Sequence, residues 1–102
     1  MSTAASASEA GPLFEYALDP LPPGPLGRRW RWELWEVEDG RMLAAGWHFS
    51  ERRARRAVRI AAARRLYERL GLGVVPAAVV RAADSARVRS LLRPRPQPVA
   101  TP

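Results

Sequence analysis

Arg29-Trp-Arg-Trp-Glu-Leu-Trp-Glu-Val-Glu38, then Asp39-Gly40, Arg41-Met-Leu-Ala-Ala-Gly-Trp-His-Phe49 and Ser50-Glu-Arg-Arg-Ala-Arg-Arg-Ala57, is one continuous stretch whose reading decides the fold. Its first ten residues nearly alternate apolar and charged side chains and are rich in Trp, which suits a pleated, half-buried strand. Asp39-Gly40 reads as a type I′ hairpin pair, and Arg41–Phe49 as the returning strand. Trp30, Trp32 and Leu34 share one face of the first strand, with Arg31, Glu33, Trp35 and Val37 on the other. On the second strand Leu43, Ala45, Trp47 and Phe49 share a face. Ser50 is a good N-cap, and Glu51–Leu70 contains no Gly or Pro before Gly71 and Gly73 end the run. At about 100° per residue, Ala54, Ala57, Val58, Ala61, Ala62 and Leu66 form one stripe, opposite Arg52, Arg53, Arg55, Arg56 and Arg59. Small residues in the stripe let this helix lie close on a sheet carrying bulky Trp side chains.

Working outward, Leu13–Leu18 alternates Phe14, Tyr16 and Leu18 with Glu15 and Ala17, a short strand. Asp19–Gly27 holds four Pro and two Gly in nine residues and reads as a stiff connecting loop. Residues 1–12 are Ser/Ala-rich without an apolar period and are expected to be disordered. Beyond the Gly pair, Pro76 opens a second helix running to about Leu92, with Val80, Ala83, Val88, Leu91 and Leu92 as its apolar set. Residues 94–102 read as a Pro-rich disordered tail. The expected fold is α+β: a three-stranded antiparallel sheet packed on one amphipathic helix, plus a short C-terminal helix, in a single domain over 13–93. One face of the hairpin takes the helix, and the other needs the C-terminal segment or a partner.

The 102 residues include 17 Arg and no Lys, 10 acidic residues, one His and no Cys, for a net charge of +7. With His48 alone and no thiol, the chain cannot by itself build a Cys/His zinc site, a Cys–His nucleophile pair or a redox dithiol. Glu33, Glu36, Glu38 and Asp39 lie among Arg residues on strand and turn, where cross-strand ion pairing is the expected use. No phosphate-loop glycine pattern or nucleophile motif occurs, so no catalytic residue, metal or cofactor is expected. The longest apolar stretch, Leu72–Val80, is far short of the roughly 20 residues a spanning helix needs, and a basic n-region is absent. A cytoplasmic protein without a membrane partner is expected.

The positive charge is segregated: residues 42–70 carry eight Arg against Glu51 and Glu68, whereas residues 1–41 carry no excess. Five Arg fall within Arg52–Arg59, in the first turns of a helix. There the helix dipole is positive and N–H groups are free, so cations are mildly unfavourable unless an anion joins them. Phosphate meets the N–H groups, the dipole and the guanidinium forks together. This makes Arg52, Arg53, Arg55, Arg56 and Arg59 candidate nucleic-acid contacts. Arg31 and Trp35, on a basic aromatic strand, are candidates of a second kind, placed to stack on bases or straddle a backbone.

Gly40-Arg-Met-Leu-Ala-Ala-Gly46 followed by Ser50-Glu-Arg-Arg-Ala54-Arg-Arg-Ala57 resembles, without gaps, the glycine-rich third strand and Ser-Lys-Lys-x-Ala-Lys of double-stranded RNA-binding domains. The resemblance implies that Arg52 and Arg55 grip phosphates across the major groove while Ala54 and Ala57 pack on the sheet. Glu51 stands at the first lysine position, Ala44 and His48 replace glycines, and residues 1–12 hold no counterpart of the family's N-terminal helix. The same order of elements is also similar to the arm-type DNA-binding domain of integrases, which implies DNA contacts from Arg31, Glu33 and Trp35 on the sheet face. The expected function is non-catalytic binding of duplex nucleic acid, DNA or RNA, through phosphates, with a log–log salt slope of roughly −4 to −5. The alternative is a protein-interaction or homo-oligomeric module using the Trp-rich sheet face.

Overall fold

Pairing on both sides of one central strand organises the chain. The computed structural model describes residues 11–96. The elements are β1 (Phe14–Gly24), β2 (Gly27–Glu36), β3 (Met42–His48), α1 (Glu51–Arg69), α2 (Pro76–Ala83), α3 (Ala86–Ser90) and β4 (Leu92–Pro94). The strands form one sheet in the order β3-β2-β1-β4, antiparallel except that β4 runs parallel to β1. The fold is α+β as expected, but the sheet has four strands with one parallel pairing, not three antiparallel ones.

Asp19–Gly27 is not a loop. β1 continues through Pro20 opposite Trp30 and Leu21 opposite Arg29, and Gly24 closes on Gly27. Past Tyr16 the outer side of β1 has no neighbouring strand, and Pro is tolerated on such an edge. The turn is Pro25-Leu26, with Gly27 at a φ of 93°, a conformation that favours Gly.

The second hairpin is not type I′ either, since that turn needs two central residues of positive φ and only Gly40, at 66°, has one. A four-residue loop, Val37–Gly40, is closed instead by Glu36 N–H donating to Arg41 O at 2.8 Å and Gly40 N–H to Glu36 O at 3.0 Å. Trp30, Trp32 and Leu34 lie opposite His48, Gly46 and Ala44, and the register then slips so that Trp35 faces Met42. This bulge turns Leu43 into the core, so it leaves the face of Ala45 and Trp47 to which alternation assigned it. Arg65 Nη2 donates to the Leu43 carbonyl at 3.0 Å and ties the bulge to α1.

Ser50 caps α1 as expected, its Oγ accepting from Arg53 N–H at 3.1 Å. Ala54, Val58, Ala62 and Leu66, four residues apart, are buried, and Val58, Ala62 and Leu66 with Ala63 share one core cluster with Phe14 and Leu34, which are both 0% exposed. Ala57 and Ala61, at the side of that stripe, are only half-buried. The helix expected over 76–92 is broken: Ser85 Oγ accepts from Val88 N–H at 3.2 Å and starts α3 afresh. Val79, not Val80, is the residue that α2 buries, along with Ala83. The chain then enters the sheet edge as β4, and Arg95 N–H donates to Tyr16 O at 2.8 Å. Pro94 and Arg95 therefore belong to the fold, while residues 97–102 of the expected tail lie outside the described residues. Residues 1–10 of the expected disordered N-terminus lie outside them as well.

Trp32 lies flat over Gly46, where an added Cβ would stand 2.7 Å from the indole Nε1. A Gly46→Ala variant is expected to lose about 1–3 kcal/mol by displacing that ring. At Gly73 no atom lies within 4 Å of the same added group, and Ala is expected to be tolerated there. Urea melts of the two variants check the contrast.

Candidate nucleic-acid interface

Helical geometry divides the Arg-rich face of α1 into two flanks. Residues eleven apart, such as Arg53 and Arg64, are about three turns apart and align along one side. Arg53, Arg56, Arg64 and Arg65 line a groove of about 830 Å³ between α1 and β3. Its floor is Trp32, Ala44, Ala57, Ile60 and Ala61, and His48 stands at its wall. The indole Nε1 of Trp32 is buried without a hydrogen-bond partner among the described residues. On the other flank Arg52, Arg55, Arg56 and Arg59 face Asp84 and Arg89.

Partnering separates these cations further. Arg55 Nη2 lies 2.8 Å from Glu51 Oε2, one turn earlier on α1. That hydrogen bond is the main cause holding the Arg55 guanidinium above its ordinary pKa, against the opposing effect of burial and with Tyr16 adding to the rise. Arg59 reaches Asp84 at 3.2 Å, Arg65 reaches Glu68 at 3.6 Å, and Arg69 pairs with Glu36. Arg52, Arg53, Arg56 and Arg64 are exposed and have no carboxylate partner among the described residues. Four like charges on one helix, two of them beside its positive end, repel one another and raise the local potential.

Arg31 and Trp35 do not join this surface. They lie on the opposite face of the sheet, which no helix among the described residues covers. Glu33 accepts from Arg31 Nε and from Trp35 Nε1, each at 3.1 Å. The Arg95 guanidinium sits 3.6 Å from the centre of the Trp35 ring, and Arg93 pairs with Glu15 at 2.7 Å beside it. The C-terminal segment thus supplies part of the cover expected for this face. Trp47, Phe49 and Met42 remain exposed, with Trp47 and Phe49 in an edge-to-face pair at 5.1 Å and Arg29 against Trp47.

Sequence reasoning missed Arg64, Arg89 and Arg95. The eleven-residue spacing from Arg53 was a legible signal for Arg64. Arg89 and Arg95 are brought in by α3 and β4, which local pattern does not place. Comparison with protein-family models, curated proteins and solved structures found no match. The β-β-β-α order is present, and nothing in these comparisons links it to double-stranded RNA-binding or integrase domains. Among the described residues no helix is long and apolar enough to cross a membrane.

Partnering makes a stability forecast. Changing Arg52, Arg53 and Arg56 to Gln is expected to leave stability unchanged or raise it by a few tenths of a kcal/mol per site, as like charges leave the positive helix end. Arg65→Gln strands the Leu43 carbonyl and is expected to lose about 1–2 kcal/mol. Urea denaturation of both variants measures the difference.

Proposed function

We propose that the chain binds duplex nucleic acid without catalysis, chiefly through backbone phosphates, by the outward face of α1. The observation that carries this reading is the set of four exposed guanidinium groups, Arg52, Arg53, Arg56 and Arg64, without carboxylate partners among the described residues, while Arg55, Arg59, Arg65 and Arg69 on the same helix are paired. Unpaired Arg at the positive end of a helix is a mismatch that a phosphate relieves. Each unpaired guanidinium is also free to make a forked contact at no cost of breaking an internal pair. Arg55 and Arg59 stand behind them as cations that contribute field and exchange partners on contact.

The open sheet face is the poorer place for phosphate. Glu15, Asp19 and Glu33 point there with the cations, Glu33 occupies both Arg31 and Trp35, and Arg95 covers the Trp35 ring. Arg31 and Trp35 therefore enter the reading as secondary contacts. The cytoplasmic setting expected from the sequence is part of the same proposal.

Four phosphate contacts give a log–log salt slope of about −3.6 on duplex DNA. Titrating labelled DNA and RNA duplexes of one sequence at two or more salt concentrations is expected to show that dependence with little sequence preference. The variant with Arg52, Arg53, Arg56 and Arg64 changed to Gln is expected to lose binding and most of the slope, whereas Arg31→Gln with Trp35→Ala keeps most of both. A flat salt response of the unaltered protein would overturn the reading. The ratio of DNA to RNA affinity assigns the ligand.

A further inference from the structure

A sheet edge exposes unpaired N–H and C=O groups that accept another strand unless charge, Pro or shortness blocks them. Free edge occurs among the described residues at four places, one of them β2 ahead of Trp30, which carries Arg28 and Arg29. β1 beyond Tyr16 carries Asp19, Pro20, Pro22 and Pro23, and β4 spans only Leu92–Pro94 and ends in Pro. β3 has none of these devices. It is seven residues, Met-Leu-Ala-Ala-Gly-Trp-His, with no charge and no Pro, and β2 is its one strand neighbour among the described residues. Its bulge lies near one end, at Leu43, and leaves the rest of the strand regular. Met42 and Trp47 on it are 45% and 46% exposed, and Phe49 just beyond is 52% exposed.

We propose that β3 pairs with β3 of a second copy of this chain, antiparallel about a two-fold axis at Ala45, making a continuous eight-stranded sheet. This register sets Ala45 against Ala45, Ala44 against Gly46 and, past the bulge at Leu43, Met42 against Trp47 of the second copy, so small residues meet at the axis and no like charges face each other along the strand. It also brings the exposed Met42 of one copy near the exposed Trp47 of the other.

Charge complementarity selects a second copy as the occupant. β3 has the Val37–Gly40 turn at one end and the start of α1 at the other. Antiparallel pairing therefore carries the turn of each copy to the α1 N-terminus of the other. Glu38 and Asp39 in the turn are exposed and have no Arg partner among the described residues. Arg52 and Arg53 at the helix start have no carboxylate partner there either. Two-fold symmetry makes this contact twice, each time placing acid at a positive helix end. Arg56 and Arg64 stay unpaired while Arg52 and Arg53 are shared with the nucleic-acid surface, and the dimer rests on the β3 edge and not on that reading. An interface built on one short strand pair is at the small end of specific contacts, and the dimer depends on concentration.

Sedimentation equilibrium of the full chain, freed of nucleic acid, from roughly 1 to 100 μM tests it in a window suited to a micromolar Kd. The mass is expected to rise from 11.3 kDa toward twice that value and stop. Glu38→Arg with Asp39→Asn, which keeps the Oδ1 acceptor that Arg41 N–H uses at 3.1 Å, is expected to raise the dimer Kd about tenfold or more. Adding Arg52→Glu and Arg53→Glu is expected to restore it. Ala45→Pro, with circular dichroism confirming the fold, is expected to abolish the dimer. A monomer across the whole range, growth past the dimer, or a dimer indifferent to the charge changes would each overturn the proposal.

Discussion

The close seat of α1 on β2 is the contact on which the other features depend. Val58, Ala62 and Leu66, with Ala63 beside them, pack with Leu34 and Phe14, and no polar side chain is buried among the described residues. A row of mostly small side chains lets the helix approach the sheet, and each small residue spares the space that Trp32 needs beside it. A single four-stranded sheet has two faces, and the helices among the described residues cover one. The other is left to β-strand side chains, their ion pairs and the Arg95 guanidinium.

That seat also shapes the charged surface. Because the helix centres on β2, a groove opens over β3, and the Arg residues along the side of α1 become its wall. Charge count alone describes eight Arg on one helix. Packing converts this into a working difference, since α2 and α3 bring Asp84 to Arg59 and the second hairpin brings Glu36 to Arg69. Exposed pairs of this kind stabilise by about 0–1 kcal/mol each. Their larger effect is to decide which guanidinium groups stay unsatisfied and open to a phosphate.

Much of the fold was legible in residues near one another. The strand period in Trp30–Val37, the Ser50 cap and the Gly/Pro-free run after it located β2 and α1 within a few residues of their observed ends. Composition misled at Asp19–Gly27, because Pro forbids a ladder bond only on the side where its missing N–H points, and which side is free depends on β4 ending at Pro94. Alternation misled at Leu43 for a similar reason. One bulged residue flips the parity of a strand, and Arg65 from a helix twenty-two residues away holds that bulge. Ser85 was legible as a cap and was passed over because the apolar residues around it can be read as one helix.

By itself the sequence determined the local elements, the amphipathic division of α1 and the clustering of Arg at its N-terminal end. Each follows from interactions between residues a few positions apart, through period, capping and helix geometry. Only the tertiary structure decided the parallel fourth strand, the partners that silence half of the helix cations, the covered Trp35 and the unguarded β3 edge. These rest on contacts between segments distant in the chain, where register and strand order are set by the packing of one core and leave no short-range trace in the residues themselves.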